Sequence, residues 1–205
     1  EGGIFLAGTI NSDVPDRFGD LNQFNTGVKS PWGTYDSSQQ YLAHYDYLNG
    51  ELKFVSISLD GDQREIHVPP GKEVLLVSDV SVIAFDEDLG DELWRKDIST
   101  YSNHFSIQKS VMAGDQLILW MRSYGEQLID SEVLGVAGEY THNIVSLDAS
   151  GKVLWTKTFA GTISLTDIDA TVLSDGLVSV SVLGITPEEE VLGTEIDPGV
   201  FALSL

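Results

Sequence analysis

Leu42-Ala-His-Tyr-Asp46-Tyr-Leu-Asn-Gly50-Glu-Leu-Lys-Phe54 is restated twice further along the chain. The second copy is Val82-Ile-Ala-Phe-Asp86-Glu-Asp-Leu-Gly90-Asp-Glu-Leu-Trp94, and the third is Ile144-Val-Ser-Leu-Asp148-Ala-Ser-Gly151-Lys-Val-Leu-Trp155. Each copy is an apolar run, an Asp, a glycine-bearing turn and a second run that carries an aromatic. The aromatic follows the Asp by eight, eight and seven residues. An apolar run of this length suits a strand, the Asp carboxylate can cap the turn, and Gly supplies a positive φ. Each copy therefore predicts a β-hairpin. In its second strand Leu93 and Trp94, or Leu154 and Trp155, point to opposite faces. A hairpin apolar on both faces needs neighbouring copies of itself, which is the logic of repeat architectures.

Outward from these hairpins the chain reads as further strands. Residues 3–10, 64–68, 73–78, 105–112, 116–123, 167–173, 177–183 and 199–205 have strand character, and no segment has a 3.6-residue period. Grouping the strands around the three hairpins gives units of about 40–60 residues with four antiparallel strands each, the size of a propeller blade. The expected fold is all-β: a β-propeller of four-stranded blades, with about four blades or a partial ring. Residues 1–205 then form one propeller domain or a segment of a larger one. The first unit begins at its second strand, and the fourth stops one step before its expected Asp.

Three variable stretches, Asn11–Ser38, Tyr124–Thr141 and Thr186–Asp197, fall at the same place in their units. Repeat folds collect insertions on one face, and that face is often the binding face. The first stretch is long for a loop in a compact domain. Trp32 and Tyr35 there, with Tyr124 and Tyr140 at the ends of the second, are the candidate binding residues. The alternative is that the loop aromatics pin the loop to the body.

The repeated phrase resembles the blade repeat of the pyrroloquinoline-quinone-type β-propeller superfamily. The opening unit, with Gly3-Ile-Phe-Leu-Ala-Gly-Thr9 followed by a long loop, is similar to related bacterial surface-protein β-propeller repeats. The resemblance implies that Trp94, Trp155 and, with a departure, Phe54 pack between adjacent blades. Quinone-dependent members of that superfamily have larger rings and often a vicinal Cys pair. This chain has no Cys, so quinone chemistry is not expected.

The composition bounds the function. Eleven basic residues face thirty-two acidic ones, for a net charge of −21. That charge repels phosphate backbones and anionic bilayer surfaces, and no apolar run nears 18 residues, so neither nucleic acid nor membrane insertion is expected. It suits a high-salt habitat, a calcium-rich exterior or a soluble exported domain. Crowded carboxylates repel one another and salt screens the repulsion. The melting temperature is therefore expected to rise between about 0.05 M and about 1 M NaCl; a flat response would remove the high-salt argument.

Catalytic signatures are sparse. Asp86-x-Asp88-x-Gly90-x-Glu92 has the start of an oxygen-ligand calcium loop, but the other two hairpins keep the Asp and Gly without the extra carboxylates, so a solvated turn tip is the favoured reading over calcium. No other cofactor is expected. His44, His67, His104 and His142 lack paired-ligand spacing, and His44 and Trp120 read as structural. The favoured function is a non-enzymatic exported, cell-surface or periplasmic prokaryotic module that binds or scaffolds a protein or glycan. The alternative is a carbohydrate-active enzyme with carboxylates in the propeller channel, recognisable by buried carboxylates with raised pKa values.

Overall fold

The computed structural model describes residues 3–11, 38–58, 63–69, 71, 73–98, 105–161, 163–186, 190–191, 194–195 and 199–205. Among them the chain is all-β and no helix is long and apolar enough to cross a membrane. Sheet 1 holds β1 (Gly3–Asn11), β2 (Ser38–Asp46) and β3 (Leu52–Ser58), in that order. Sheet 2 holds β4 (Gln63–His67), β5 (Glu73–Ser78), β6 (Ser81–Asp86) and β7 (Glu92–Asp97). Sheet 3 holds β8 (Ser106–Ala113), β9 (Gln116–Tyr124), β12 (Tyr140–Leu147) and β13 (Val153–Phe159), and between β9 and β12 the chain forms a separate small hairpin of β10 (Gln127–Ile129) and β11 (Glu132–Leu134). Sheet 4 begins with β14 (Ser164–Val172) and β15 (Val178–Thr186). A hairpin of β16 (Glu190–Val191) and β17 (Thr194–Glu195) follows, and β18 (Gly199–Ser204) completes it. All pairings are antiparallel meanders. Two sheets have the expected four strands; the other two have three described strands each.

The three repeated phrases form equivalent hairpins. Asp46 Oδ1 accepts hydrogen bonds from the Leu48 and Asn49 amides, Asp86 Oδ1 from Asp88 and Leu89, and Asp148 Oδ1 from Ser150 and Lys152. The turn is closed from the Gly50 and Gly90 amides onto the Asp carbonyl four residues back, and from the Gly151 amide onto the Asp carbonyl three residues back. That missing residue is why the third phrase is one step shorter. Each ladder is also irregular at the same place, between His44 and Tyr45, Ala84 and Phe85, and Ser146 and Leu147. Just before the irregularity the aromatic stands opposite the residue two before the Asp: Phe54 opposite His44, Trp94 opposite Ala84, Trp155 opposite Ser146.

Period-2 alternation explains how the two middle sheets bury both faces. On β5, Val74 and Leu76 join a cluster with Leu42 of sheet 1, while Leu75 and Val77 join one with Leu117 and Leu119 of sheet 3. On β9, Ile118 turns instead toward Leu165 and Ile168 of sheet 4. Each pair of consecutive sheets thus encloses its own apolar core. Between sheets, backbones approach within 8 Å along the first strands of sheets 2, 3 and 4, β4 against β8 and β8 against β14, while β4 meets β1, the equivalent of a second strand, in sheet 1.

The repeated turns also join the sheets. His44 Nδ1–H of sheet 1 donates to the Glu87 carbonyl of sheet 2 at 2.8 Å. Trp94 Nε1–H of sheet 2 donates to the Ala149 carbonyl of sheet 3 at 3.0 Å. Glu87 and Ala149 are equivalent, each the residue after the turn Asp. The sequence reading places Trp94 and Trp155 between adjacent sheets, largely buried. Both pack on inter-sheet cores, of sheets 2–3 and 3–4 respectively, but are only partly buried; for Trp94 the covering neighbour is the Ala149–Gly151 turn.

Candidate functional site

Trp32 and Tyr35 lie outside the described residues. Tyr124 and Tyr140 are brought together: they are directly opposed at the end of the β9–β12 ladder, with ring centroids 4.9 Å apart and planes at 55°. Antiparallel registry explains the contact, since opposed residues share a face. Tyr124 is 41% and Tyr140 54% exposed, so the pair is available to a partner. Arg122, two residues earlier on the same face, holds its guanidinium 5.1 Å from the Tyr140 ring centre, a cation–π distance. The next pair inward is Arg122 opposite His142, and beyond it Trp120 opposite Ile144. One face of β9 and β12 therefore runs from a buried apolar end to an exposed aromatic end.

His142 is the polar hinge of this strip. Trp120 Nε1–H donates to His142 Nδ1 at 3.0 Å, and the two rings are 5.7 Å apart. Burial, helped by the Arg122 charge, lowers the His142 pKa from 6.5 to about 4. The neutral ring keeps Nδ1 as an acceptor. An unfolded chain binds the proton between these two pKa values and the folded one does not, so stability is intact above pH 6.5 and is lost as pH falls toward 4. Between pH 7.5 and 5 this amounts to at most about 2 kcal/mol, and solvent screening of the incompletely buried ring brings it nearer to about 1 kcal/mol. Urea denaturation of His142→Asn should show a correspondingly smaller loss over that interval; an unchanged pH profile would contradict the assignment.

The stretch between the two tyrosines is not an open loop. Ile129 and Leu134 of the β10–β11 hairpin are buried in the core between sheets 2 and 3. Asp130 at the hairpin tip bonds Lys96 Nζ of sheet 2 at 2.7 and 2.8 Å and accepts the Val153 amide of sheet 3 at 3.2 Å. The Lys96 bond holds the Asp130 carboxyl below its usual range. The hairpin is a clasp across the sheet 2–3 seam. It leaves and rejoins sheet 3 through Gly125 and Gly135, both at positive φ and touching. The short strands and their Asp130-Ser131 tip carry too little alternation to be read from sequence.

The first strands carry a second polar cluster. Ser110 of β8 donates its amide to Glu65 Oε2 of β4 at 2.6 Å and its hydroxyl to the same oxygen, while His67 Nε2 lies 2.7 Å from Ser110 Oγ. Lys109 Nζ bonds Asp167 Oδ1 at 2.6 Å and the Ile168 carbonyl at 2.9 Å on β14. These bonds tie consecutive sheets where they approach most closely. Burial pushes Glu65 upward, but the His67 and Ser110 hydrogen bonds outweigh it and leave its pKa lowered; the Lys109 bond lowers Asp167. Both arrangements favour a permanent carboxylate, the opposite of a general acid. Ser110 is 2% exposed, so its hydroxyl serves as a bridge between strands.

At the candidate calcium loop, Asp86 Oδ1 is taken by its own turn and Glu92 pairs with Arg95 at 2.8 Å. Among the described residues no group of three or more acidic or His side chains is placed to hold a metal ion. A cavity of about 110 Å³ lies between sheets 2 and 3, with Glu73, Asp115 and Asp148 at its wall. It is smaller than pockets that enclose drug-sized ligands, and Asp148 is already committed to Ser150 and Lys152.

No family model matches the chain, and no curated protein matches it. Among solved structures it is similar to BamB from Moraxella catarrhalis, with a TM-score of 0.38 and 12% identity over 78% of this chain and 60% of that one. It is also similar to Hsv2 from Kluyveromyces lactis, with a TM-score of 0.24 and 11% identity over 73% of this chain and 66% of that one. The chain thus spans less than two thirds of the BamB chain.

Proposed function

We propose that the chain is a β-propeller, or a segment of one, whose sheets are successive blades, and that it acts as a non-enzymatic binding module for a protein or glycan. The radial arrangement is supported by sheets 2, 3 and 4, which approach at their first strands, and by the equivalent inter-sheet bonds to Glu87 and Ala149. The observation that carries the binding reading is the Tyr124–Tyr140 pair: two touching aromatics, about half exposed, at one end of the sheet 3 ladder. Paired aromatics supply much contact area at low entropic cost. The first insertion, with Trp32 and Tyr35, belongs to the same proposed face. A charge of −21 keeps such a surface hydrated and fits an exported or cell-surface setting. An enzyme with channel carboxylates is less well supported, because every described carboxylate with a resolved shift is lowered.

The test is capture from an envelope fraction with immobilised wild type and with the Tyr124→Ala/Tyr140→Ala double variant. Both side chains are exposed, so the variant should fold as the wild type does. A specific partner should be lost with a penalty of roughly 2 kcal/mol or more. Equal capture by the two proteins would move the binding face elsewhere.

A further inference from the structure

In a chain with thirty-two carboxylates, four of the seven basic side chains described are paired with one. Lys53, Arg95, Lys96 and Lys109 are paired with Asp46, Glu92, Asp130 and Asp167. The Arg122 side chain, like those of Lys152 and Lys157, makes no hydrogen bond or ion pair among the described residues, although its backbone sits in the ordered ladder of sheet 3. Its contacts are the Tyr140 ring and the electrostatic pressure it exerts on His142. A guanidinium stacked on a ring keeps its N–H edges free, and their fork matches a carboxylate bidentately.

We infer that Arg122, Tyr140 and Tyr124 form a carboxylate-selective site for an acidic peptide segment of a partner protein, with the guanidinium taking an Asp or Glu side chain and the tyrosine notch taking the apolar residue beside it. The inference rests on the binding reading above and adds the partner's chemistry. A peptide is favoured over a sugar because the two rings meet at 55°. They form a notch suited to a branched side chain, whereas a pyranose stacks on a flat platform. The neighbouring His142 is neutral and its Nδ1 is taken by Trp120, which leaves Arg122 as the group that selects charge. The net negative charge of the chain opposes an acidic partner at long range, but at about 0.15 M salt that field decays within about 8 Å and the direct pair decides.

The test is an NMR titration at about 0.15 M NaCl, following the Arg122 side-chain N–H and the Tyr124 and Tyr140 ring signals. The probes are acetyl-Ser-Leu-Glu-Leu-Ser-amide, its Gln counterpart, trigalacturonate and cellotriose. The Glu peptide should shift all three residues and bind at least tenfold more tightly than the Gln peptide, and Arg122→Gln should abolish that preference. Equal binding of the two peptides through the tyrosines would overturn the charge selectivity and leave the aromatic site standing. Trigalacturonate binding more tightly than the Glu peptide would replace the peptide with an acidic glycan. No shift at the tyrosines with any probe would count against this inference; the double-variant capture experiment judges the broader reading separately.

Discussion

Replacing Trp94 with Ala should destabilise the chain by about 3 kcal/mol, below a fully buried Trp because the ring is partly exposed. Three losses combine. The indole leaves the core between sheets 2 and 3. The Ala149 carbonyl loses its 3.0 Å donor. The Gly151 turn loses the ring it rests on, because a Cβ at Gly151 would stand 2.8 Å from Trp94 ring carbons. Trp94→Phe separates these effects: it keeps most of the packing and should cost about 1 kcal/mol for the hydrogen bond. Gly151→Ala is disfavoured twice, by φ +77° and by the ring. In a Trp94→Ala background the second penalty vanishes, so the two substitutions should be strongly non-additive in urea denaturation. Additive costs would mean that ring and turn are not in contact.

Gly135→Ala should cost as much or more, at least about 3 kcal/mol. Its φ is +83°, and an added Cβ would lie 2.2 Å from the Gly125 carbonyl oxygen, a backbone atom that cannot swing aside. The neck of the β10–β11 clasp would have to open, pulling at Ile129, Leu134 and the Asp130–Lys96 pair. Gly138→Ala is the control: φ is +77°, but the space beside it is open, so only the backbone term of roughly 1–2 kcal/mol remains. Similar losses at the two positions, measured by chemical denaturation, would show that the neck is not tight.

The parts of the fold legible in the sequence are those written in local pattern. Asp, turn and glycine specified three hairpins, and two-sided apolar strands such as Val74–Val77 required sheets on both sides. Every strand read from the sequence is present; the additional ones, β10–β11 and β16–β17, are two or three residues each, too short for a period to show. The Tyr124–Tyr140 contact was half legible, because both residues mark the ends of one insertion. Arg122, His142 and Trp120 were not, since their juxtaposition depends on the register between β9 and β12. The Glu65–Ser110–His67 cluster depends on how β4 meets β8, which no local pattern encodes. Trp94 is only partly buried because the Ala149–Gly151 turn covers less of its ring than a sheet would.

The arrangement of successive sheets stands or falls on the docking of one sheet's aromatic onto the next sheet's turn. A NOESY spectrum of the chain, assigned at Trp94 and Gly151, reads that contact directly. With the indole six-membered ring against Gly151, strong cross-peaks should connect the ring protons to a Gly151 Hα shifted upfield by the ring current. An unshifted Gly151 with no cross-peak to Trp94, beside intact cross-peaks within sheets 2 and 3, would contradict it.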